Sequence, residues 1–271
     1  MKKEFLRMDG VLAGILALSA LLALLAPQQF ERDRVFGMDF GIPTKWYGSP
    51  SDMRPDCAGV PENSIGLDFL NIDSCLRSLG TGPELYMRDC PCDPFRRPYT
   101  YPPLMTFLFS WVLWVSTPTA VKIWTSLVFA LVFLNAYLLC GFWRPDVSPR
   151  RRALVSLLLT FSYPSVFSYQ RGNHDVLVLS LLTAGAFLFR EKHWFRLGAL
   201  LALAGLLKIY PAPLFVSMAF VLGILAAAPA TRKEFLPAAK SFLLGGAVTL
   251  AAGVGVFFDT TVYYLRHMLP L

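Results

Sequence analysis

The chain alternates between long apolar blocks and short polar segments over most of its length. The apolar blocks lie at about residues 10–26, 103–116, 120–143, 153–168, 174–189, 197–210, 211–228 and 236–258. A helix needs about 20 apolar residues to cross the hydrocarbon core of a bilayer, within a range of roughly 17–25. Because most blocks approach that length, the pattern predicts an all-α, polytopic membrane protein that forms one membrane domain over residues 1–271.

The path of the block at 103–116 is decided by charge rather than by hydropathy. Its 14 residues would form a helix of about 21 Å, which is shorter than the roughly 30 Å core. If this block does not cross, 13 Lys and Arg residues fall on one side of the membrane, in segments 1–7, 144–152, 190–196 and 232–240. Basic loops concentrate on the cytoplasmic side. We therefore predict a non-spanning interfacial helix at 102–117, about seven transmembrane helices and a cytoplasmic N-terminus.

Two further blocks need a decision about the path of the chain. The run 197–228 is too long for one span, and Lys208 and Pro211 lie at its centre, so we expect two short helices broken at Lys208. The first block resembles a signal peptide, but Pro27 directly follows Ala26 and makes a poor cleavage site. We expect this block to be an uncleaved anchor.

Composition agrees with a membrane location. Hydrophobic residues make up 55% of the chain and charged residues 16%, whereas an average soluble domain has roughly 25% charged residues. The net charge of +7 is explained by basic loops beside membrane spans and by anionic lipid headgroups. This composition argues against nucleic acid as a partner and predicts a multi-pass protein of the inner cell membrane.

The segment 27–101 is a long polar loop on the predicted extracytoplasmic side. It contains 11 acidic and 8 basic residues and four of the five cysteines, which are Cys57, Cys75, Cys90 and Cys92. Four thiols in an oxidising compartment can form up to two disulfides, with three possible connectivities. Free thiols and a metal site at the last two cysteines are the alternatives. In every case the cysteines fit a periplasm or an equivalent space.

Polar clusters recur where the predicted spans reach the extracytoplasmic side of the membrane. Segments 169–175, 208–211 and 259–264 each interrupt or follow an apolar block, and Lys122 begins another. Charged residues at membrane depth usually face a cavity or a partner, so Lys122, Arg171 and Lys208 predict an anion-binding cavity. The simpler interpretations are that Arg171 and His174 face water in a loop, and that Lys208 extends to the interface.

Five short motifs occur in an order that resembles a known family. They are Gly-Leu-Asp-Phe at 66–69, Gly-Pro-Glu-Leu-Tyr at 82–86, Tyr-Pro-Pro-Leu at 101–104, Gln-Arg-Gly-Asn at 170–173 and Lys-Ile-Tyr-Pro at 208–211. Together they resemble the GT-C glycosyltransferases, in particular glycosyltransferase family 87, the polyprenyl-phosphate-mannose-dependent mannosyltransferases. The resemblance covers about residues 60–271. It implies a GT-C-like helical bundle with juxtamembrane helices in the first outer loop.

The resemblance also implies a reaction and a set of site residues. Family members transfer a sugar, typically mannose, with inversion from a polyprenyl-phosphate-linked donor to a glycolipid or glycan acceptor on the extracytoplasmic face. Asp68 matches the catalytic base, and no cofactor or metal is expected. The other implied positions are Lys208, Arg171 and His174 at the donor phosphate, and Asn173, Tyr101 and Tyr86 in the sugar or acceptor pocket.

The chain departs from the family pattern in two places. An insert at 27–62 separates the first apolar block from Asp68 and makes Asp39 a rival for the acidic position, although the spacing to later motifs favours Asp68. Family members usually continue with further spans, so we expect a truncated product, a shorter variant or one part of an assembly. The rival functions are a membrane transporter or lipid-handling subunit, and an inactive scaffold subunit of a glycan-assembly complex.

Overall fold

The computed structural model describes residues 34–35, 38–39, 67–86, 90 and 99–267. Within these ranges regular structure is helical, apart from a short antiparallel ladder between Arg34–Val35 (β1) and Met38–Asp39 (β2). Two 3-10 helices cover Pro83–Tyr86 and Ser110–Trp114. The α-helices are α1 Leu67–Leu79, α2 Pro103–Phe109, α3 Thr117–Trp143, α4 Pro149–Thr160, α5 Tyr163–Arg171, α6 Asp175–Arg190, α7 Trp194–Leu207, α8 Ala212–Ala227, α9 Arg232–Val256 and α10 Phe258–His267.

Two of these helices are long and apolar enough to cross a membrane. Helix α3 has 27 residues and helix α9 has 25, which correspond to about 40 Å and about 37 Å of helix. Shorter apolar helices cover Pro103–Trp114, α7 and α8. The predicted helical, apolar character is therefore confirmed, whereas the arrangement with about seven spans stays a prediction. The first apolar block, at 10–26, lies outside the described residues.

The block at 103–116 forms a short, two-part helix. Helix α2 begins at Pro103, where the missing N–H and fixed φ of proline suit a first helical position. It continues as the 3-10 helix to Trp114, whose side chain is 83% exposed. The segment is thus helical and shorter than a span, as the sequence indicates, and its interfacial position stays a prediction.

The block at 153–168, which the sequence treats as one span, is two helices. Helix α4 ends at Thr160 and helix α5 begins at Tyr163, with Ser162 in an extended conformation between them. The reason is Pro164, which has no N–H to donate to the carbonyl of Thr160 in a continuous helix. The hydroxyl of Tyr169 donates to that carbonyl instead, at 2.9 Å. The block is therefore not one continuous helix, and its assignment as a membrane span stays a prediction.

The predicted break at Lys208 is confirmed. Helix α7 ends at Leu207, Lys208 has extended backbone dihedrals (φ −146°, ψ 146°), and helix α8 begins at Ala212 directly after Pro211. Proline is tolerated before a helix or in its first turn. Inside a helix it has no N–H to donate to the carbonyl four residues earlier, so α7 does not continue through Pro211. The break therefore fixes Lys208 at the end of an apolar helix.

The described residues divide into two compact units. The first contains the described residues 34–35, 38–39, 67–78 and 90 and the range Trp111–Val176. In it the ring of Phe69, on α1, stacks against Trp111 and Trp124 with centroids 6.3 and 5.8 Å apart. A disulfide joins Cys75 to Cys90, and both residues are fully buried. One pair of the predicted outer-loop disulfides is therefore present, while Cys57 and Cys92 lie outside the described residues.

The second unit contains residues 79–86, 99–110 and 177–267. Its core lies where α7, α8 and α9 pack together, and it includes Leu197, Leu201, Leu222, Ala226, Ala238, Ala239 and Phe242. Helices α7 and α9 approach so closely that a Cβ on Gly198 would overlap the carbonyl of Phe242. Reciprocally, a Cβ on Gly245 would overlap the carbonyl of Phe195. Small residues at helix crossings are typical of membrane helix pairs, where close backbone contact replaces the hydrophobic effect.

Candidate functional site

Asp68 and Arg171, both predicted as site residues, form an ion pair in the first unit. The guanidinium of Arg171 donates from Nε to Asp68 Oδ2 at 3.0 Å and from Nη2 to Oδ1 at 2.7 Å. The two residues are 103 positions apart in the chain. The side chains of Asp68 and Arg171 are 15% and 32% exposed, so the ion pair is partly buried but still accessible to solvent. Bidentate geometry of this kind fixes the plane of the carboxylate.

The position of Arg171 follows from how α5 ends. Arg171 is the last residue of the helix, and Gly172 follows it in the left-handed conformation with φ 61°. The N–H groups of Gly172 and Asn173 donate to the carbonyls of Tyr169 and Ser168, which is the double hydrogen bond of a Schellman motif. The indole of Trp124 donates to the carbonyl of Gly172 at 2.9 Å. The turn is therefore held from two sides.

Asn173 and His174 occupy the turn that leads into α6. The side chain of Asn173 accepts from the N–H of Asp175 at 2.9 Å and donates to the carboxylate of Asp175 at 3.0 Å. His174 is fully buried, so the interpretation of this histidine as a water-facing loop residue is wrong. Asn173 therefore has a structural role at the start of α6 in addition to any role in binding.

Sequence reasoning missed a second acidic residue on α1. Asp73 is 1% exposed and accepts hydrogen bonds from Arg77, at 2.9 Å, and from the hydroxyl of Thr117, at 2.7 Å. Arg77 also donates to the carbonyls of Val112 and Val115, at 2.6 and 2.7 Å. An acid and an arginine four positions apart on one helix are a sequence signal for such a pair. The carboxylate of Asp73 accepts from Arg77 and Thr117, which connect α1 to the chain around it. We therefore assign Asp73 a structural role, the positioning of α1.

The predicted pocket tyrosines lie together in the second unit. The hydroxyl of Tyr86 donates to the carbonyl of Tyr101 at 3.0 Å. The ring of Tyr99 packs edge to face against both, at 5.6 Å from Tyr86 and 5.4 Å from Tyr101. Thr106 donates to the hydroxyl of Tyr99 at 3.0 Å, and Tyr264, from α10, packs 5.6 Å from Tyr86. We call these five residues the tyrosine cluster.

Burial changes the acidity of this cluster. Removal from water raises the pKa of Tyr99 well above its ordinary value of 10, and the neighbouring phenols raise it further. Desolvation likewise raises the pKa of Tyr86 and of Tyr264. All three phenols therefore stay neutral near physiological pH, where they serve as hydrogen-bonding and stacking groups.

Lys208 lies beside the tyrosine cluster. Its Nζ is 5.8 Å from the ring centroid of Tyr101 and 5.8 Å from that of Tyr210. An ammonium within about 6 Å of aromatic faces is attracted to their π electrons. The structure thus brings together Lys208, Tyr101 and Tyr86 in the second unit, and Asp68, Arg171, Asn173 and His174 in the first. Lys122, the third predicted boundary cation, is exposed near the start of α3.

The apolar helices define a membrane protein. Its charged and aromatic candidate site residues, such as Asp68, Arg171 and Lys208, lie where helices begin and end. Residues 99–271 match the family model of glycosyltransferase family 87, and the chain belongs to that family. The resemblance inferred from the five motifs is thereby confirmed, and it indicates a glycosyltransferase. Comparison with curated proteins and with solved structures finds no match. The matched range includes Tyr101, Arg171, Asn173, His174 and Lys208.

Proposed function

We propose that this glycosyltransferase moves a sugar, most simply mannose, from a polyprenyl-phosphate-linked donor to a hydroxyl of a glycolipid or glycan acceptor. The transfer takes place on the extracytoplasmic face of the inner membrane and inverts the anomeric centre. Membership of family 87 supports the glycosyl transfer itself. The observation that carries the proposed mechanism is the bidentate Asp68–Arg171 pair, which holds a carboxylate in a fixed plane at the ends of two helices.

Asp68 acts as the general base. The acceptor oxygen attacks the anomeric carbon, its proton passes to Asp68, and the bond from the anomeric carbon to the phosphate oxygen breaks with its electron pair leaving on the phosphate. Arg171 occupies one lone pair on each carboxylate oxygen. A carboxylate has about four such positions, so acceptor sites remain on both oxygens. Arg171 therefore orients the base as well as being a cation for the donor.

The donor is recognised by charge at its phosphate and by aromatic groups at its sugar. Lys208 meets the phosphate, since a fixed ammonium stabilises the charge that develops as the lipid phosphate departs. Arg171 and His174 contribute to the same recognition. Tyr86, Tyr101 and Asn173 line the sugar or acceptor pocket, where neutral phenols offer hydrogen bonds and an apolar ring face. The reaction needs no metal in this scheme, because protein cations stabilise the leaving group.

Replacement of the base tests the proposal most directly. Asp68→Asn keeps the shape of the side chain and an oxygen that accepts from Arg171, but an amide cannot take the proton. General-base catalysis contributes about 10²–10⁴-fold, so transfer of radiolabelled mannose from polyprenyl phosphate should fall at least about a hundredfold. Donor binding, measured on the same preparation, should change little.

Asp39→Asn is the matched control, since Asp39 is the rival acid and lies on the short strand β2. We expect it to reduce transfer by less than about fivefold, far below a general-base effect. The assignment is overturned if Asp39→Asn abolishes transfer while Asp68→Asn leaves it intact. Flux of the lipid without a covalent sugar product would favour the transporter instead of the enzyme.

A further inference from the structure

A cleft opens in the second unit where α6 turns into α7 and where α9 begins. It has a volume of about 370 Å³, and its walls include Lys192, Trp194, Glu234, Phe235 and Pro237. Sites for small molecules usually have about 300–1,000 Å³, so the cleft is large enough for a polar headgroup. None of the residues assigned to glycosyl transfer lines it.

The cleft and Lys208, which lies beside the tyrosine cluster, are separated by the length of helix α7. Trp194 is the first residue of α7, and Lys208 directly follows its last residue. A helix of 14 residues spans about 20 Å, so the cleft and Lys208 lie at opposite ends of α7. With Lys208 at the extracytoplasmic boundary, as proposed above, the cleft opens toward the cytoplasmic leaflet.

The cleft is lined by both apolar and charged side chains. Trp194 and Phe235 are partly buried and pack against the core between α7, α8 and α9. On the rim, Lys192 Nζ pairs with Glu234 Oε1 at 2.9 Å, and both side chains are mostly exposed. Such a surface complements a molecule with a polar head and an apolar body.

Lys192 is held in a backbone conformation that lysine rarely adopts. Its φ is 57°, and it is the only non-glycine residue with a positive φ in the described part of the chain. The N–H of Lys192 donates to Phe189, and that of His193 donates to Leu188, so α6 ends in a Schellman motif whose left-handed position normally holds glycine. Strain of this kind persists only where the surroundings impose it, and it clusters at functional sites. Backbone geometry alone would favour glycine here.

The charge around the cleft has one predominant sign. Residues 190–196 and 232–234 carry two carboxylates, Glu191 and Glu234, and five cations: Arg190, Lys192, Arg196, Arg232 and Lys233. The aromatic side chains of Phe189 and Phe195, on either side of the turn, are 47% and 43% exposed. Exposed aromatic rings beside basic residues are typical of the membrane interface. The electrostatic complement of this surface is therefore an anionic group at the level of the lipid headgroups.

We propose that this cleft binds the headgroup of an anionic phospholipid, with Lys192 at the phosphate and the acyl chains beside Trp194 and Phe235. The lipid is a bound partner of the protein and takes no part in glycosyl transfer. The inference depends on the membrane location and is independent of the donor and acceptor proposed above. Lipid attraction to basic residues is worth about a fivefold change in affinity for each Lys or Arg near the surface.

Native mass spectrometry of the full-length protein in detergent measures the binding directly. With phosphatidylglycerol and phosphatidylcholine as probes, we expect at least about fivefold tighter binding of phosphatidylglycerol. Lys192→Gln should lower that affinity about fivefold, whereas Glu234→Gln should raise it, because the competing carboxylate is removed. Lys192→Gly should also weaken binding while making the protein more stable, since glycine accepts the left-handed conformation.

Arg151→Gln is the matched control, because Arg151 is an exposed cation on α4 that does not line the cleft. It should leave phosphatidylglycerol affinity unchanged. Equal losses in Arg151→Gln and Lys192→Gln would show diffuse attraction to the surface and would overturn the proposal. Equal binding of both lipids, or complete displacement of phosphatidylglycerol by inorganic phosphate, would also overturn it, whereas selective binding that depends on Lys192 and is raised by Glu234→Gln supports it.

Discussion

Individual side chains in the first unit show how one residue can combine two roles. Arg171 neutralises Asp68 and fixes its plane, and Gly172 and Trp124 fix Arg171 in turn. Lysine could supply the charge at this position but not the planar, two-pronged donor. The geometry of the proposed base therefore depends on a guanidinium at the end of α5 and on a glycine that can end that helix.

The tyrosine cluster makes stability sensitive to alkaline pH. Burial raises the pKa of Tyr86 and Tyr99 in the folded protein, whereas in the unfolded chain both phenols ionise near pH 10. Their contribution is fully present below about pH 10 and is lost as pH rises through the folded pKa, because the unfolded state then releases protons that the folded state retains. Between the unfolded and the folded pKa, each such phenol lowers the free energy of unfolding by about 1.4 kcal/mol per pH unit.

We expect Tyr99→Phe to reduce the loss of stability between about pH 10 and about pH 11 by roughly 1 kcal/mol. Denaturant unfolding of the detergent-solubilised protein at a series of pH values would measure it. An identical alkaline slope in Tyr99→Phe and the unsubstituted protein would contradict the burial argument.

Helices in this protein are separated and packed by proline and glycine. Pro164 and Pro211 each lie just after a break between two helices, and the break before Pro211 contains Lys208 and Tyr210. Gly198 and Gly245 allow α7 and α9 to touch at their backbones. The two residue types therefore act differently. Proline interrupts the hydrogen bonds within a helix and so separates one helix from the next, whereas glycine lacks the side chain that would keep two helices apart.

Gly198→Ala should destabilise the second unit by about 1–3 kcal/mol or more, because its Cβ would overlap the carbonyl of Phe242. Gly223→Ala is the matched control, since Gly223 lies inside α8 and a Cβ on it would have no neighbouring atom within 4 Å. It should be neutral or stabilise by up to about 1 kcal/mol, as alanine favours helix. Thermal unfolding followed by size-exclusion chromatography compares the two, and equal midpoints would contradict the close crossing of α7 and α9.

At the scale of the whole molecule, the distribution of basic loops predicts its orientation in the membrane. Cysteines introduced at Pro149 and Ala230, both exposed, should react with an impermeant maleimide only after the inner face is made accessible. A cysteine at Thr81, in the predicted outer loop, should react in intact cells, and the unsubstituted protein gives the background. Labelling of Pro149→Cys or Ala230→Cys from outside would reverse the topology and the proposed sidedness of the site.

The sequence by itself determined the features that depend on neighbouring residues. Within the described residues the apolar blocks are helical, one helix begins at Pro103 and another ends just before Lys208, because hydropathy and the geometry of proline act over a few positions. The five ordered motifs were enough to identify family 87. The break before Pro164 was equally local, and the proline inside the block was the signal for it.

Only the tertiary structure decided which distant residues meet. The pairing of Asp68 with Arg171, the choice of Cys90 as the partner of Cys75, the burial of His174 and the cleft beside Lys192 all depend on the path of the chain between helices. Asp68 and Arg171 are separated by 103 positions, and no pattern in either segment specifies the other. Such contacts form because many weak packing interactions together fix where each helix lies, and that sum is a property of the whole fold.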